Sequence, residues 1–508
     1  MSNISSQIAV VSILASTLIL GACSDDTGTP ERNSGSVGLA DAKLHGDELI
    51  STPYGEIELQ DTFITDESSQ TLYDAMDTQR AAQAYIWSHP LVSMTTWRNE
   101  QAAAYGVSGR GGFVVLQSFN EKLGIVTANL TTPYIFNFDN VDGDPLYVSY
   151  PAGATAGGVL DMWQRPVADL GLTGPDGGQG GTYIVVGPND DPSVYAGEAD
   201  YVIQSPTNNI FIGIRLLDPD PAFATRFRDE FRVAPVGGES VELEVSANAD
   251  IPWSATARRG VEYFETLHQI LNEEPVREQD KVWIAMLEPL GIELGKPFEP
   301  TERQAQILAE GAALGELMTR NIQINPRFAH PYWEGTNWYK SFDFGVEQIT
   351  DTKVELDERA LWFYEAVTST QGMVNPSVGK GQVYMTSKRD VNGELLRADR
   401  TYRLHIPPDV PVGRFWALTL YSENTRRAYE SGAGTIASSN RSSQDDLVVN
   451  DDGSVDLYIG PAAPEGFEQN HMPTVDDEGW FVYFRLYAPL EPWFDKTWSL
   501  PDFEPVEL

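Results

Sequence analysis

The hydrophobic residues of this chain change their period twice. Between 112 and 217, short aromatic and β-branched runs recur between turn signals, at 112–118, 124–129, 133–138, 146–150, 182–187, 200–204 and 209–216. From about 255 to 370 the apolar residues step by three and four, as in Val261, Phe264, Leu267 and Leu271. Beyond 381 the short runs return at 382–386, 400–406, 414–421, 455–460 and 479–487. A strand repeats every second residue and a helix about every 3.6, so one regular architecture cannot accommodate both patterns. The expectation is a mainly β protein: a helix plus β-sandwich over 68–250, a helical domain over 251–372 and a second β-sandwich over 373–508.

Within the first block, Asn129 to Pro151 reads as two strands joined at Asp142-Gly143-Asp144-Pro145. Alternation puts Tyr134, Phe136 and Phe138 on one side and Ile135, Asn137 and Asp139 on the other. Ahead of it, 68–86 is rich in helix formers with Leu72, Met76, Arg80 and Ala84 on one face, and Pro90 is expected to end that helix before 87–98 leads into the sheet. A helix-like insert is expected over Ala156 to Leu170, and the Gly-rich stretch 173–181 reads as a mobile linker. Thr301 and Gln304 have capping-box spacing ahead of a further helix.

The first 22 residues contain an apolar run from Ile8 to Gly21, too short to span a bilayer and closed by small residues, which reads as a signal peptide. Cys23, the single cysteine, follows directly, so no intrachain disulfide is available. Leu20-Gly21-Ala22-Cys23 resembles the lipobox of bacterial lipoproteins, which implies a lipidated Cys23 and a cell-envelope protein facing the periplasm or exterior, with a plain secretory signal as the alternative. Residues 23–51, without an aromatic, read as a flexible tether. With 74 acidic against 34 basic residues the formal net charge is −40. Nucleic-acid binding needs a basic footprint and is excluded, and the expected membrane contact is through the lipid anchor alone.

Standard catalytic and metal-binding motifs are missing. There is no His-Glu-x-x-His, no Gly-x-Ser-x-Gly and no phosphate-binding Gly-Lys-Ser/Thr loop, and the six histidines have no ligand spacing, so no metal or cofactor is expected. Asp139, Asp142 and Asp144 could hold calcium, although Asp and Gly in this order more often build a turn. His89 could act as a base, although a histidine beside proline more often packs. The remaining candidates are polar or cationic residues embedded in aromatic strands: Asn129, Thr132, Tyr134, Arg98 and Arg215 in the first block, and Trp416, Tyr421 and Arg485 in the second. An arginine among aromatic rings can clamp a carboxylate with two parallel hydrogen bonds, or it can close a buried ion pair.

The chain resembles a tandem pair of domains of unknown function found in bacterial exported proteins and some large algal viruses. The first member is carried by His89-Pro-Leu-Val92, Asn129 to Tyr134, Gly181 to Pro188 and Ser205 to Arg215. Arg414 to Tyr421, Asp452-Gly-Ser454 and Arg485 to Pro489 carry the second. The resemblance implies an immunoglobulin-like sandwich, a helical insert and a C-terminal jelly roll, and it brings no activity. Two function classes remain: binding or processing of a small anionic or hydroxylated ligand in a pocket between β-domains, or a structural role in which jelly-roll surfaces join copies or partners. A deep pocket holding Tyr134 and an arginine distinguishes the first from the second.

Overall fold

The computed structural model describes residues 35–218, 220–242, 244–246, 252–432, 435, 438–475 and 478–507. The signal segment 1–22 and Cys23 lie outside them. The chain divides into two compact units, Met1–Tyr73 and Asp74–Leu508. In the first, Val37–Gly38, Glu48–Thr52, Gly55–Gln60 and Phe63–Ile64 form a four-stranded sheet in chain order. Regular structure thus begins inside the stretch expected as a tether up to 51. Ile50 pairs with Ile57, and these two with Leu59 make a three-residue core that needs no aromatic side chain.

The second unit is mainly β with helices, as the two changes of period require. Its first sandwich pairs a four-stranded sheet with a six-stranded one. The four-stranded sheet runs Tyr201–Gln204, Gly181–Val186, Leu146–Tyr150 and Arg232–Pro235. The six-stranded sheet runs Glu244–Ser246, Gly112–Leu116, Tyr134–Asn140, Asn209–Leu216, Thr155–Asp161 and Pro166–Gly171. The second sandwich pairs a five-stranded sheet with a four-stranded one. The five-stranded sheet runs Tyr339–Lys340, Gln382–Ser387, Trp480–Tyr487, Trp416–Ser422 and Asn440–Ser442, and its mate runs His471–Pro473, Val455–Gly460, Thr401–Ile406 and Glu504–Val506. Both large sheets are covered on both faces. Ile135, Ile212 and Ile214 fill the first sandwich, while Phe136, Phe138 and Phe211, one residue out of phase, pack under helices.

Several local expectations are corrected. The helix Asp66–Tyr105 runs straight through Pro90 and takes in the whole of 87–98. A proline inside a helix costs about 3 kcal/mol, but His89, Leu91, Val92 and Met94 are all fully buried around it, and that packing outweighs the lost hydrogen bond. The expected insert over 156–170 is instead two paired strands, because its glycines, Gly157 and Gly158, let strands approach closely where a helix would be weakened. No strand forms over 124–129. Thr127 adopts φ 43° and donates its backbone N–H to the Arg426 carbonyl at 2.7 Å, so this segment serves the C-terminal half instead of the sheet. The Gly-rich stretch is a tied turn: the Asp176 carboxylate accepts from Gly171 N, Gly178 N and the Tyr183 hydroxyl at 2.8, 3.1 and 2.7 Å.

The helix Glu302–Ile324 begins with the capping box of Thr301 and Gln304. It lies against the long helix at Gly311 and Gly315, where an added Cβ would meet Ala81 Cβ at 2.2 Å and Tyr85 Cβ at 2.5 Å. One hydrophobic core joins Trp97 of the long helix, Phe211 of the sheet, Phe264 and Leu308 of the helical segment, and Ala428 of the C-terminal half. The segments expected as separate domains therefore share a core. Where the helix Val261–Glu273 ends, the buried Glu274 carboxylate accepts from Asn209 N and Asn209 Nδ2 at 3.0 and 2.7 Å and from Asn208 N. Burial nevertheless pushes its pKa up to about 7. The folded chain then holds a proton that the unfolded chain releases between about pH 4.5 and 7. Stability from this group is complete at low pH and falls as pH rises through 7, by on the order of 3 kcal/mol. Urea midpoints measured from pH 5 to 8 should show this fall, and Glu274→Gln should remove most of it.

Candidate functional site

The two large sheets turn their outer faces toward one another. On the six-stranded sheet, alternation presents Tyr134, Phe136, Phe211, Gly213, Arg215, Ala156, Gly158 and Leu160 on that face. The facing positions on the five-stranded sheet are Gln382 and Tyr384 on one strand and Tyr483, Arg485 and Tyr487 on the next, with Tyr384 opposite Arg485 and Gln382 opposite Tyr487. Gly213 and Gly158 are paired neighbours without side chains. Between the faces lies a cavity of about 90 Å³, lined also by Thr127 to Asn129 and by Trp362 and Val367. Such a volume takes several waters or one small organic molecule.

Four of the expected site residues converge there: Asn129, Tyr134, Arg215 and Arg485 all line the cavity. Arg485 is 2% exposed. Its Nη1 donates to Thr419 Oγ1 at 2.9 Å and its Nη2 to the Thr127 carbonyl at 3.2 Å, while Nε has no partner among the described residues. The guanidinium lies 5.1, 5.5 and 5.2 Å from the ring centres of Tyr384, Tyr421 and Tyr483. Arg215, half-buried, donates from Nη1 to Gln382 Oε1 at 2.9 Å, and the same oxygen accepts from the Tyr384 hydroxyl at 2.8 Å. Among the described residues neither guanidinium has a carboxylate within 4.0 Å. Burial works against both charges, and the surrounding tyrosines, whose pull raises both pKa values, keep their protons near neutral pH and supply no full counter-charge there. Both therefore stay cationic, and an isolated buried ion costs several kcal/mol.

Asn129 and Tyr134 are organised by the loop that carries them. Asn129 Oδ1 accepts from Thr131 N at 2.9 Å and Thr132 N at 3.2 Å, an Asx turn, and Asn129 N donates to the Tyr134 hydroxyl at 2.8 Å. Its Nδ2 donates to the Tyr487 hydroxyl. Burial raises the Tyr134 pKa although Arg215 and Arg485 pull it down, so the phenol keeps its proton and can donate into the cavity.

The other expected residues stand elsewhere. Thr132 is spent inside the turn, where its carbonyl accepts from Lys122 Nζ at 2.9 Å. Tyr421 braces the site from behind, donating to the Ala128 carbonyl at 2.7 Å. Trp416 faces the interior of the second sandwich, stacked 5.7 Å from Phe484, because its strand places it out of phase with Arg485. Arg98 pairs with Glu273 at 2.6 Å, away from the cavity. Asp139 and Asp144 both pair with Arg110, at 3.1 and 2.9 Å. His89 is fully buried among Tyr85, Tyr263 and Tyr364, and burial lowers its pKa to about 3, so it stays neutral and cannot serve as a base near neutral pH. Among the described residues no group of three His, Cys, Asp or Glu side chains could hold a metal ion, and no helix is long and apolar enough to cross a membrane.

Sequence reasoning passed over Gln382, Tyr384, Tyr483 and Tyr487. The signal was present in the strand Trp480–Tyr487, whose alternation sets Phe481, Tyr483, Arg485 and Tyr487 on one side and Trp480, Val482, Phe484 and Leu486 on the other. Lys122 was also missed. Buried under the loop 130–132, it has its pKa lowered to about 8 by burial, and no periodicity in the chain marks it.

Two family descriptions match this architecture. Residues 113–235 match "Protein of unknown function (DUF1254)" and residues 381–491 match "Protein of unknown function (DUF1214)", so the chain carries the two in tandem. No curated protein matches the chain. Among solved structures, the VPA0106 protein from Vibrio parahaemolyticus is similar over 85% of this chain and 100% of its own, at 16% identity and a TM-score of 0.51. An uncharacterized protein from Burkholderia cenocepacia aligns over 87% of this chain and 97% of its own at 11% identity and a TM-score of 0.37. The first likeness is one of fold.

Proposed function

For a chain with a DUF1254 region followed by a DUF1214 region, we propose an envelope lipoprotein that binds a small anionic or hydroxylated molecule between its two large sheets. One observation supports this above the others: the fully buried Arg485 and the half-buried Arg215 border one cavity, and among the described residues neither has a carboxylate beside it. A buried cation without a counter-ion is costly, and an anionic ligand supplies the missing charge through short, charge-assisted hydrogen bonds. The Tyr134 hydroxyl and Asn129 fix its orientation. Thermal melts with added acetate or inorganic phosphate test the reading. At least one anion should raise the melting temperature of the wild type, Arg215→Met should abolish the rise, and Tyr134→Phe should weaken it with little loss of fold. No rise with either anion, or an undiminished rise in Arg215→Met, would contradict it.

The anchor rests on Leu20-Gly21-Ala22-Cys23. A lipidated Cys23 would hold the folded units at a membrane surface without a spanning helix. Cys23→Ser should therefore move the protein from the membrane fraction to the soluble fraction of its host. Unchanged membrane association of the variant would count against lipidation.

A further inference from the structure

The cationic groups of the cavity lie toward one end, and Thr173, Thr368 and Thr370 line it elsewhere. Arg215, Arg485, Tyr134, Asn129 and Tyr384 gather at that end, tied through the Gln382 oxygen that Arg215 and Tyr384 share. The opposite end is made by Trp97, Phe136, Phe211 and Leu160, all at most 4% exposed, with the three rings 4.8 to 5.3 Å apart. Tyr134 stacks 4.7 Å from Phe136 and marks the seam between the two ends. We infer that the ligand is a small monocarboxylate with a short apolar tail, its carboxylate on the arginines and its tail against the Trp97, Phe136 and Phe211 rings.

Two features of the cavity argue for this class within the proposed anion site, on which the inference rests. A tetrahedral dianion such as phosphate or sulfate needs charged donors around most of its surface, whereas here both cations stand on one side and the Trp97, Phe136 and Phe211 rings on the other. A tail without a charged head would leave both guanidiniums uncompensated. Size sets the upper limit. At about 90 Å³ the space is well below that of a drug-sized pocket, which suits a short carboxylate better than a long acyl chain.

Isothermal titration calorimetry of the full chain with acetate, propionate, butyrate, benzoate, inorganic phosphate and sulfate tests this. Each methylene added from acetate to butyrate should tighten binding about fourfold, and benzoate should bind more tightly than either inorganic anion. Leu160→Phe, which shortens the apolar end, should weaken benzoate and butyrate much more than acetate. Acetate binding then reports that the variant has kept its site. Affinities that stay flat along the series, tighter binding of phosphate or sulfate, or equal losses for acetate and benzoate in a Leu160→Phe variant that melts like the wild type would each overturn the carboxylate assignment and leave an anion site standing. If none of the six anions binds, the proposed anion site fails with it.

Discussion

Replacing Arg485 with methionine should cost ligand binding at least a hundredfold while leaving the melting temperature of the ligand-free protein unchanged or higher. The two effects part because, among the described residues, Arg485 has no carboxylate beside it. Its hydrogen bonds go to Thr419 Oγ1 and to the Thr127 carbonyl, and methionine forfeits these. In exchange the folded state no longer buries an uncompensated cation that is 2% exposed, a burden of several kcal/mol. A bound anion, by contrast, loses charge-assisted hydrogen bonds worth about 1.5–3 kcal/mol each, and two of them correspond to roughly a hundredfold to ten-thousandfold in affinity. Circular dichroism melts and calorimetry on the same samples check both parts. A sharp fall in stability without ligand would assign Arg485 to the framework.

The opposite behaviour is expected one strand away. Glu365 is fully buried, and its Oε2 accepts from Lys388 Nζ at 2.8 Å and from Gln323 Nε2 at 3.1 Å. Lys388 also lies 4.4 Å from the centre of the Phe481 ring. Lys388→Met leaves the carboxylate buried without its cation, a change that typically costs about 3–5 kcal/mol. Removing both charges in Lys388→Met/Glu365→Leu should restore most of that loss, since two apolar groups can fill the space of the pair. Denaturant midpoints of the wild type, the single variant and the double variant give the answer. Equal losses in the single and double variants would show that packing of the Lys388 stem, and not the stranded charge, holds this place. Lys388 and Arg485 thus separate two settings of a buried cation, one paired within the chain and one that the proposed function leaves for a bound anion.

Strand period was enough to place most of the framework. The runs 146–150, 209–216 and 455–460 coincide with strands end to end, the first by its alternating burial and the other two because side chains buried on both faces leave little freedom in register. Half of the candidate site was legible for the same reason, because a polar residue embedded in such a run has to be satisfied across the sheet. What failed did so where tertiary contacts overrule local preference. Pro90 sits in a helix because its neighbours are fully buried, and 124–129 leaves the sheet to meet Arg426. Trp416 and Arg98 are expected at the site because they stand among aromatic residues in sequence. Strand phase turns the first into a core and Glu273 occupies the second. That Asn129 and Arg485, 356 positions apart in sequence, border one cavity depends on how the two large sheets face each other, which no local pattern encodes.

Mass spectrometry of small molecules released by denaturing the purified chain tests the central claim most directly, with the wild type and Arg485→Met prepared side by side. A small anionic species recovered in near-stoichiometric amount from the wild type and absent from the variant is the predicted result. Recovery of no such species from the wild type, or of the same species in equal amount from both, would contradict an anion held between the two sheets.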